Sequence, residues 1–287
     1  MDHIGEFFPD SPIWFRWLGR LAAPMFFYAL AVGFQHTRNR KKYLLRLYLA
    51  NVGMVFFNQI MCMLQRKLDY VAYQPKNHNI FTTLFCAGVL ICIWENRKEK
   101  KKFFTYIGIY IFWQAMVMGL AILAEAFDYI WRGNALLQTV LRTNYIFPLL
   151  GGIWDAEGGM FFIVLGVWLY CAVENKWKLA LRYILFCGAY MFMCQGDILY
   201  RIMSRFSFWG YHKLADVIYF GSSFVGIPLG TSDLSLLTEF YQWMMIGALP
   251  IMLACNGKRG KSLKWLFYAA YPLQFLVLYG ISYYKIL

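Results

Sequence analysis

Charge is scarce in this chain, and acidic charge scarcer still. Of 287 residues 15% are charged, and 28 basic residues stand against 15 acidic ones. Soluble globular chains carry about 25% charged residues. With 60% apolar and 20% aromatic residues beside that shortage, a soluble multi-domain protein is excluded. Other signatures are also missing. No Cys-x-x-Cys pair and no Cys/His set has zinc-like spacing, so no metal site is predicted. The seven cysteines lie mostly in apolar runs and read as small apolar helix residues. No serine nucleophile elbow and no glycine-rich phosphate loop occurs. Internal repeats and low-complexity tails are lacking, and the whole chain, 1–287, reads as a single domain. The opening residues MDHIGEFFPDSPI have neither a basic flank nor an apolar core of signal-peptide length.

What is present is apolar sequence in long blocks, and blocking is what separates a membrane protein from a well-cored soluble one. Given the roughly 17–25 residues a crossing helix needs, seven segments read as spans: 14–34, 43–64, 79–94, 103–124, 159–174, 179–199 and 264–285. The pieces at 79–94 and 159–174 are short and would cross upright. An eighth span is predicted over 238–254, with Glu239 and Gln242 near its start. The fold class is therefore all-α: a polytopic bundle of about eight spans embedded in a lipid bilayer.

The excess of basic charge has a location. Sixteen of the 28 basic residues fall in four short loops, 35–43, 95–102, 174–182 and 255–264, each between apolar segments. The positive-inside rule produces that arrangement, so topology accounts for the charge and a nucleic-acid partner is not expected. With those loops cytoplasmic, one crossing must lie between about 200 and 255. Span 238–254 supplies it, which makes the Gly/Ser-rich 214–230 re-entrant or interfacial and places both chain ends outside. Broken backbone at membrane depth must be buried in protein or line a cavity. The stretch FPLLGGIWDAEGG within 125–158 is a second candidate for such an element, or equally a plain folded loop.

Polar groups inside spans are site candidates because each costs several kcal/mol unless paired or hydrated. Arg16 and Arg20 share one face of the first span. Arg16 is expected to snorkel to the interface, whereas Arg20 lies deeper. Asn51, Asn58, Gln59, Gln114, Gln195, Asp197 and Gln274 are embedded further on, and the amides are expected chiefly to hydrogen-bond helices together. His36, His78 and His212 read as solvated loop residues. His3 differs, because Asp2 precedes it and a carboxylate stabilises a protonated general base. Adjacent side chains on a helix do not face each other, so Asp2 is equally a partner for Arg20.

Three stretches in order carry a family resemblance: Asp2-His3-Ile4-Gly5, then Arg16-Trp17-Leu18-Gly19-Arg20 running through Pro24 to Phe26, then Gly33-Phe34-Gln35-His36-Thr37-Arg38 to Tyr43. A fourth match joins Asn256–Gly260 to Lys264–Tyr268 and to Tyr271-Pro272-Leu273. Together they resemble the TraX family of bacterial membrane proteins, named for conjugation-associated pilin acetylation and akin to a wider group of transmembrane acyltransferases. The resemblance implies transfer of acetyl from cytoplasmic acetyl-CoA to an acceptor, a pilin N-terminus or a surface glycan, at the bacterial inner membrane. It makes His3 the catalytic candidate, oriented by Asp2, with Arg20 steadying anionic charge. It sets Arg38, Arg40, Lys41, Lys42, Lys258 and Arg259 opposite the coenzyme A phosphates. It also implies a further span before Asp-His-Ile-Gly, expected to be lost here by truncation or a late start codon. Gln274 stands where the family's last span commonly has histidine. The rival class, a transporter or scaffold without covalent chemistry, draws on the embedded amides and the broken segment 214–230.

Overall fold

The computed structural model describes residues 2–8, 10–68, 79–132, 145–154, 156–195, 201, 205, 211–227, 234–255 and 264–284. Among these the chain is helical and contains no strand. In order come α1 (Asp2–Phe7), α2 (Trp14–Gly19), α3 (Ala22–His36), α4 (Arg40–Leu68), α5 (Ile80–Glu95), α6 (Lys100–Arg132), α7 (Gly159–Tyr170), α8 (Lys176–Gln195) and α9 (Tyr211–Val225). A 3-10 helix over Tyr241–Gly247 leads into α10 (Ala248–Ala254), and α11 (Lys264–Tyr284) closes the chain.

Among the described residues five helices are long and apolar enough to cross a membrane: Trp14–His36, Arg40–Leu64, Lys100–Ala124, Lys176–Gln195 and Leu266–Tyr284. The other three expected spans are also apolar helices, but shorter, at Ile80–Glu95, Gly159–Tyr170 and Tyr241–Ala254. At about 1.5 Å per residue, the 12 residues of α7 reach roughly 18 Å, short of the ~30 Å hydrocarbon core. All eight predicted segments are thus helical, and five meet the length for a full crossing. The segment 214–230 is helical through its Gly221-Ser222-Ser223 run. Among its described residues, 214–227, it breaks at Gly226, whose φ of 84° is in the left-handed region open to glycine.

Short asparagine-capped turns join the helices at the basic loops. Asn39 Oδ1 accepts from the Lys42 backbone N–H at 2.9 Å, and Asn175 Oδ1 from that of Lys178 at 3.0 Å. Each satisfies one of the N–H groups that a helix start leaves unpaired.

By contacts the chain divides into two compact units. The first comprises residues 1–35 and 160–263. Its centre is aromatic: Phe161 and Phe162 of α7 meet Phe186 and Tyr190 of α8 with ring centroids 4.5–5.9 Å apart, and Phe27 of α3 joins Phe162 at 5.9 Å. In lipid no hydrophobic force drives helix against helix, so ring packing and interhelical hydrogen bonds must hold them. Tyr183 supplies one such bond, donating from α8 to the Met245 carbonyl in the 3-10 helix at 2.5 Å.

The second unit comprises residues 36–159 and 264–287. Here α5 is the inner helix, with Thr83, Cys86, Ala87 and Ile91 all fully buried, while α6 turns Phe104, Ile111 and Phe112 outward. A chain with such an apolar exterior is a membrane protein rather than a soluble one.

Candidate functional site

In the first unit, two of the motifs that carry the resemblance meet. Helix α1 holds Asp-His-Ile-Gly, and α2 holds the Arg-Trp-Leu-Gly stretch. Gly5 is the contact: an added Cβ would lie 2.7 Å from Arg16 Cγ and Nε. The absence of that Cβ lets the guanidinium cross Gly5 and donate from Nη2 to its carbonyl at 2.5 Å. From Nη1 the same guanidinium donates to the Tyr241 hydroxyl at 3.1 Å. One turn on, Arg20 lies with its guanidinium carbon 5.0 Å from the Tyr241 ring centroid, a cation–π distance. Between the two arginines, Trp17 donates from its indole N–H to the Leu237 carbonyl at 2.9 Å. Arg16, Trp17 and Arg20 therefore all grip residues 237–241.

Arg16, expected to snorkel, is held by hydrogen bonds to Gly5 and Tyr241. Both of its acceptors are neutral oxygens, so no carboxylate compensates its charge among the described residues. His3 is half-buried on α1, in the helix that Arg16 anchors. The side chain of Asp2 lies outside the described residues.

The basic loops separate into different roles. Arg40 is committed, donating to both carboxylate oxygens of Glu95 at 2.7 and 3.3 Å and to the Thr37 carbonyl. It ties the start of α4 to the end of α5. Arg38, Lys41 and Lys42 are exposed. Lys258 and Arg259 lie outside the described residues.

The second unit contains an irregular segment, as either a re-entrant element or a folded loop would give. Its described residues, 145–154 and 156–159, include a short helical turn, Phe147–Leu149, and Gly151, Gly158 and Gly159 at φ of 65°, 78° and 68°. Its freed carbonyls are met by side chains of the surrounding helices. Asn51, fully buried, donates to Pro148 at 2.6 Å while its own Oδ1 accepts from Asn79 and Thr82. Tyr48 donates to Leu149, Trp113 to Leu150 and Gln114 to Gly151. The Gln114 oxygen in turn accepts from the Ile153 N–H at 3.0 Å. Asn51 and Gln114 are thus hydrogen-bonding glue, as expected of amides in spans, but they bind irregular backbone rather than a second helix. Gln59 accepts from the Tyr145 hydroxyl in the same way.

Tyr241 and Glu157 were not singled out by the sequence. Glu157 accepts from the Tyr271 hydroxyl at 3.0 Å, and its backbone carbonyl accepts from Thr83. Tyr271 lay in a recognised motif, and a buried phenol needs a hydrogen-bond partner, so an acidic residue in the glycine-flanked segment was the available signal. Nothing in the pattern around Tyr241 marks it. Gln274 is half-buried on α11, three residues beyond Tyr271. His36 is exposed; the side chains of His78 and His212, like Asp197, lie outside the described residues. No group of His, Cys, Asp and Glu able to hold a metal ion occurs among the described residues.

No curated protein and no solved structure matches the chain. A family model does: that described as TraX protein matches residues 1–188, from α1 into α8, and so includes the Asp-His-Ile-Gly helix and both arginines of α2 and its end. The chain belongs to the TraX family.

Proposed function

We propose that this protein is a membrane-bound acetyltransferase that takes acetyl from acetyl-CoA and passes it to a protein N-terminus of the pilin kind or to a surface hydroxyl or amine. The observation that carries the reading is the docking of the His3 helix onto Arg16, which bonds Tyr241 in turn. It gathers an imidazole-bearing helix and two guanidiniums in one apolar unit, where charge stabilisation is stronger than in water. His3 acts as general base, oriented by Asp2. It takes the proton of the acceptor as the acceptor nitrogen or oxygen attacks the thioester carbonyl. The carbon–sulfur bond then breaks, coenzyme A leaves as thiolate, and the imidazolium returns the proton to sulfur. Arg20 and Arg16 steady the oxyanion between those steps.

Arg38, Lys41, Lys42, Lys258 and Arg259 attract the coenzyme A phosphates from the cytoplasmic face of a bacterial inner membrane. Arg40 does so only through its neighbours, because Glu95 holds it. Arg20 stands near the start, and Arg38 just past the end, of the apolar stretch Trp14–His36.

Purified protein in detergent should release free coenzyme A from acetyl-CoA in the presence of an amine acceptor. Equal rates from wild type and His3→Ala would remove His3 from the mechanism. A second reading, a transporter without covalent chemistry, is favoured by the broken segment 145–159 with its cradle of side-chain donors. Solute uptake by proteoliposomes without acetyl-CoA consumption would select it instead.

A further inference from the structure

In the second unit the seam between α5 and α6 is not closed. A cavity of about 400 Å³ is lined by Cys92 of α5, by Asn96 just past its end, and by Tyr106 and Tyr110 of α6. A second, of about 520 Å³, is lined by Phe85, Tyr48 and the 149–151 backbone. Val89, Tyr110 and Trp113 border both, so the two form one groove. From Phe85 on α5 to Asn96 just past its end the chain advances eleven residues, or roughly 16 Å of rise. The groove is open laterally, since Tyr106, Ile109 and Trp113 on its wall are 42%, 60% and 39% exposed on the apolar face of α6.

One end of the groove is basic. Asn96 sits in the 95–102 loop, which has five basic residues against two acidic ones. Both acids are spoken for: Glu95 by Arg40, and Glu99 by Lys102 at 2.6 Å. Helical spacing puts Lys102 on the same face as Tyr106, Ile109 and Trp113. The wall below is apolar and carries few free polar groups, and the Asn96 amide is already spent on the Cys92 carbonyl at 2.8 Å. A coenzyme A arm, with its amides, would find few partners there, whereas a hydrocarbon chain needs none.

We infer that the α5–α6 groove is a binding site for one acyl chain of an anionic phospholipid, its phosphate held by Arg97, Lys98, Lys100 and Lys101 and its chain ending against Gly151. This goes beyond acyl transfer and does not depend on it. The site gives the 149–151 backbone an apolar cover on the side that the helices leave open, and it ties that cover to leaflet composition through charge.

Photo-crosslinking in nanodiscs tests the inference. The whole protein is placed in phosphatidylcholine with a small fraction of phosphatidylglycerol bearing a diazirine on one acyl chain, and labelled peptides are mapped. Label should concentrate on residues 85–113, at least about fivefold above that from diazirine phosphatidylcholine, since each juxtamembrane basic residue contributes about 1 kcal/mol. The combined Lys98→Gln, Lys100→Gln and Lys101→Gln variant should bring it down to the phosphatidylcholine level. Val89→Trp, or Ile109→Trp on the more tolerant exposed wall, should abolish label in the groove while α8 around Phe192 still labels. Even labelling of all outward helices, or equal labelling by the two phospholipids, overturns the site. Displacement of the phosphatidylglycerol label by a long-chain acyl-CoA overturns the choice of phospholipid.

Discussion

Arg16 reaches back eleven residues to donate to the carbonyl of Gly5 at 2.5 Å, and only the missing Cβ of Gly5 lets it do so. A glycine in the Asp-His-Ile-Gly motif thereby has a job apart from any chemistry at His3. It is the face on which an arginine of the next helix lies. Gly5→Ala forces the Arg16 stem to move, and overpacking of this kind costs about 1–3 kcal/mol. The expected outcome is a lowered thermal midpoint in detergent together with a loss of coenzyme A release. Arg16→Lys, which keeps the charge but cannot reach two acceptors in a fork, should lose more activity than stability.

Gly151→Ala is predicted to destabilise the second unit for two reasons that add. At φ of 65° a side chain costs about 1–2 kcal/mol, and the new Cβ would stand 2.7 Å from the Phe85 ring. Thermal unfolding followed by tryptophan fluorescence should show a clear drop, and Gly53→Ala, with open space around its Cβ position, should not.

Asn51→Leu removes one side chain that serves Pro148, Asn79 and Thr82 at once. Leaving such buried groups unpaired costs about 1–3 kcal/mol each before relaxation. Its loss of stability should therefore exceed that of Gln114→Leu, whose partners are two backbone groups of the same segment. Comparing the midpoints of the two variants checks the order.

The basic loops offer a separation of roles. Arg40→Gln should cost stability of about 0.2–1 kcal/mol, the range for a part-exposed ion pair, with little effect on the KM for acetyl-CoA. Lys41→Gln with Lys42→Gln should leave stability alone and raise that KM roughly fivefold, an effect that fades at high salt.

The helices were legible because hydrophobic blocking is a strong local signal. All eight apolar segments expected from the sequence are helices, and Asn39 and Asn175 start two of them. Crossing length was less legible. Composition shows that α7 is apolar but not that its helix stops at 12 residues. Of the site, His3, Arg16 and Arg20 stood out as ionisable groups beside apolar runs, but what Arg16 binds did not show. Its partners come from residue 5 and from residue 241, and pairing across 225 positions leaves no periodic trace. Asn51 and Gln114 were visible as embedded amides. That both serve the 145–159 backbone depends on how that segment folds inward, which its glycines suggest without naming the partners.

The most direct test of the account is coenzyme A release from acetyl-CoA by purified wild type, His3→Ala and Arg16→Lys, with an amine acceptor present and folding verified for each. General-base catalysis contributes about 10²–10⁴-fold. The account predicts acceptor-dependent release by wild type, a fall of at least a hundredfold in His3→Ala, and an intermediate loss in Arg16→Lys. Release that is absent from wild type, or unchanged in folded His3→Ala, would contradict it.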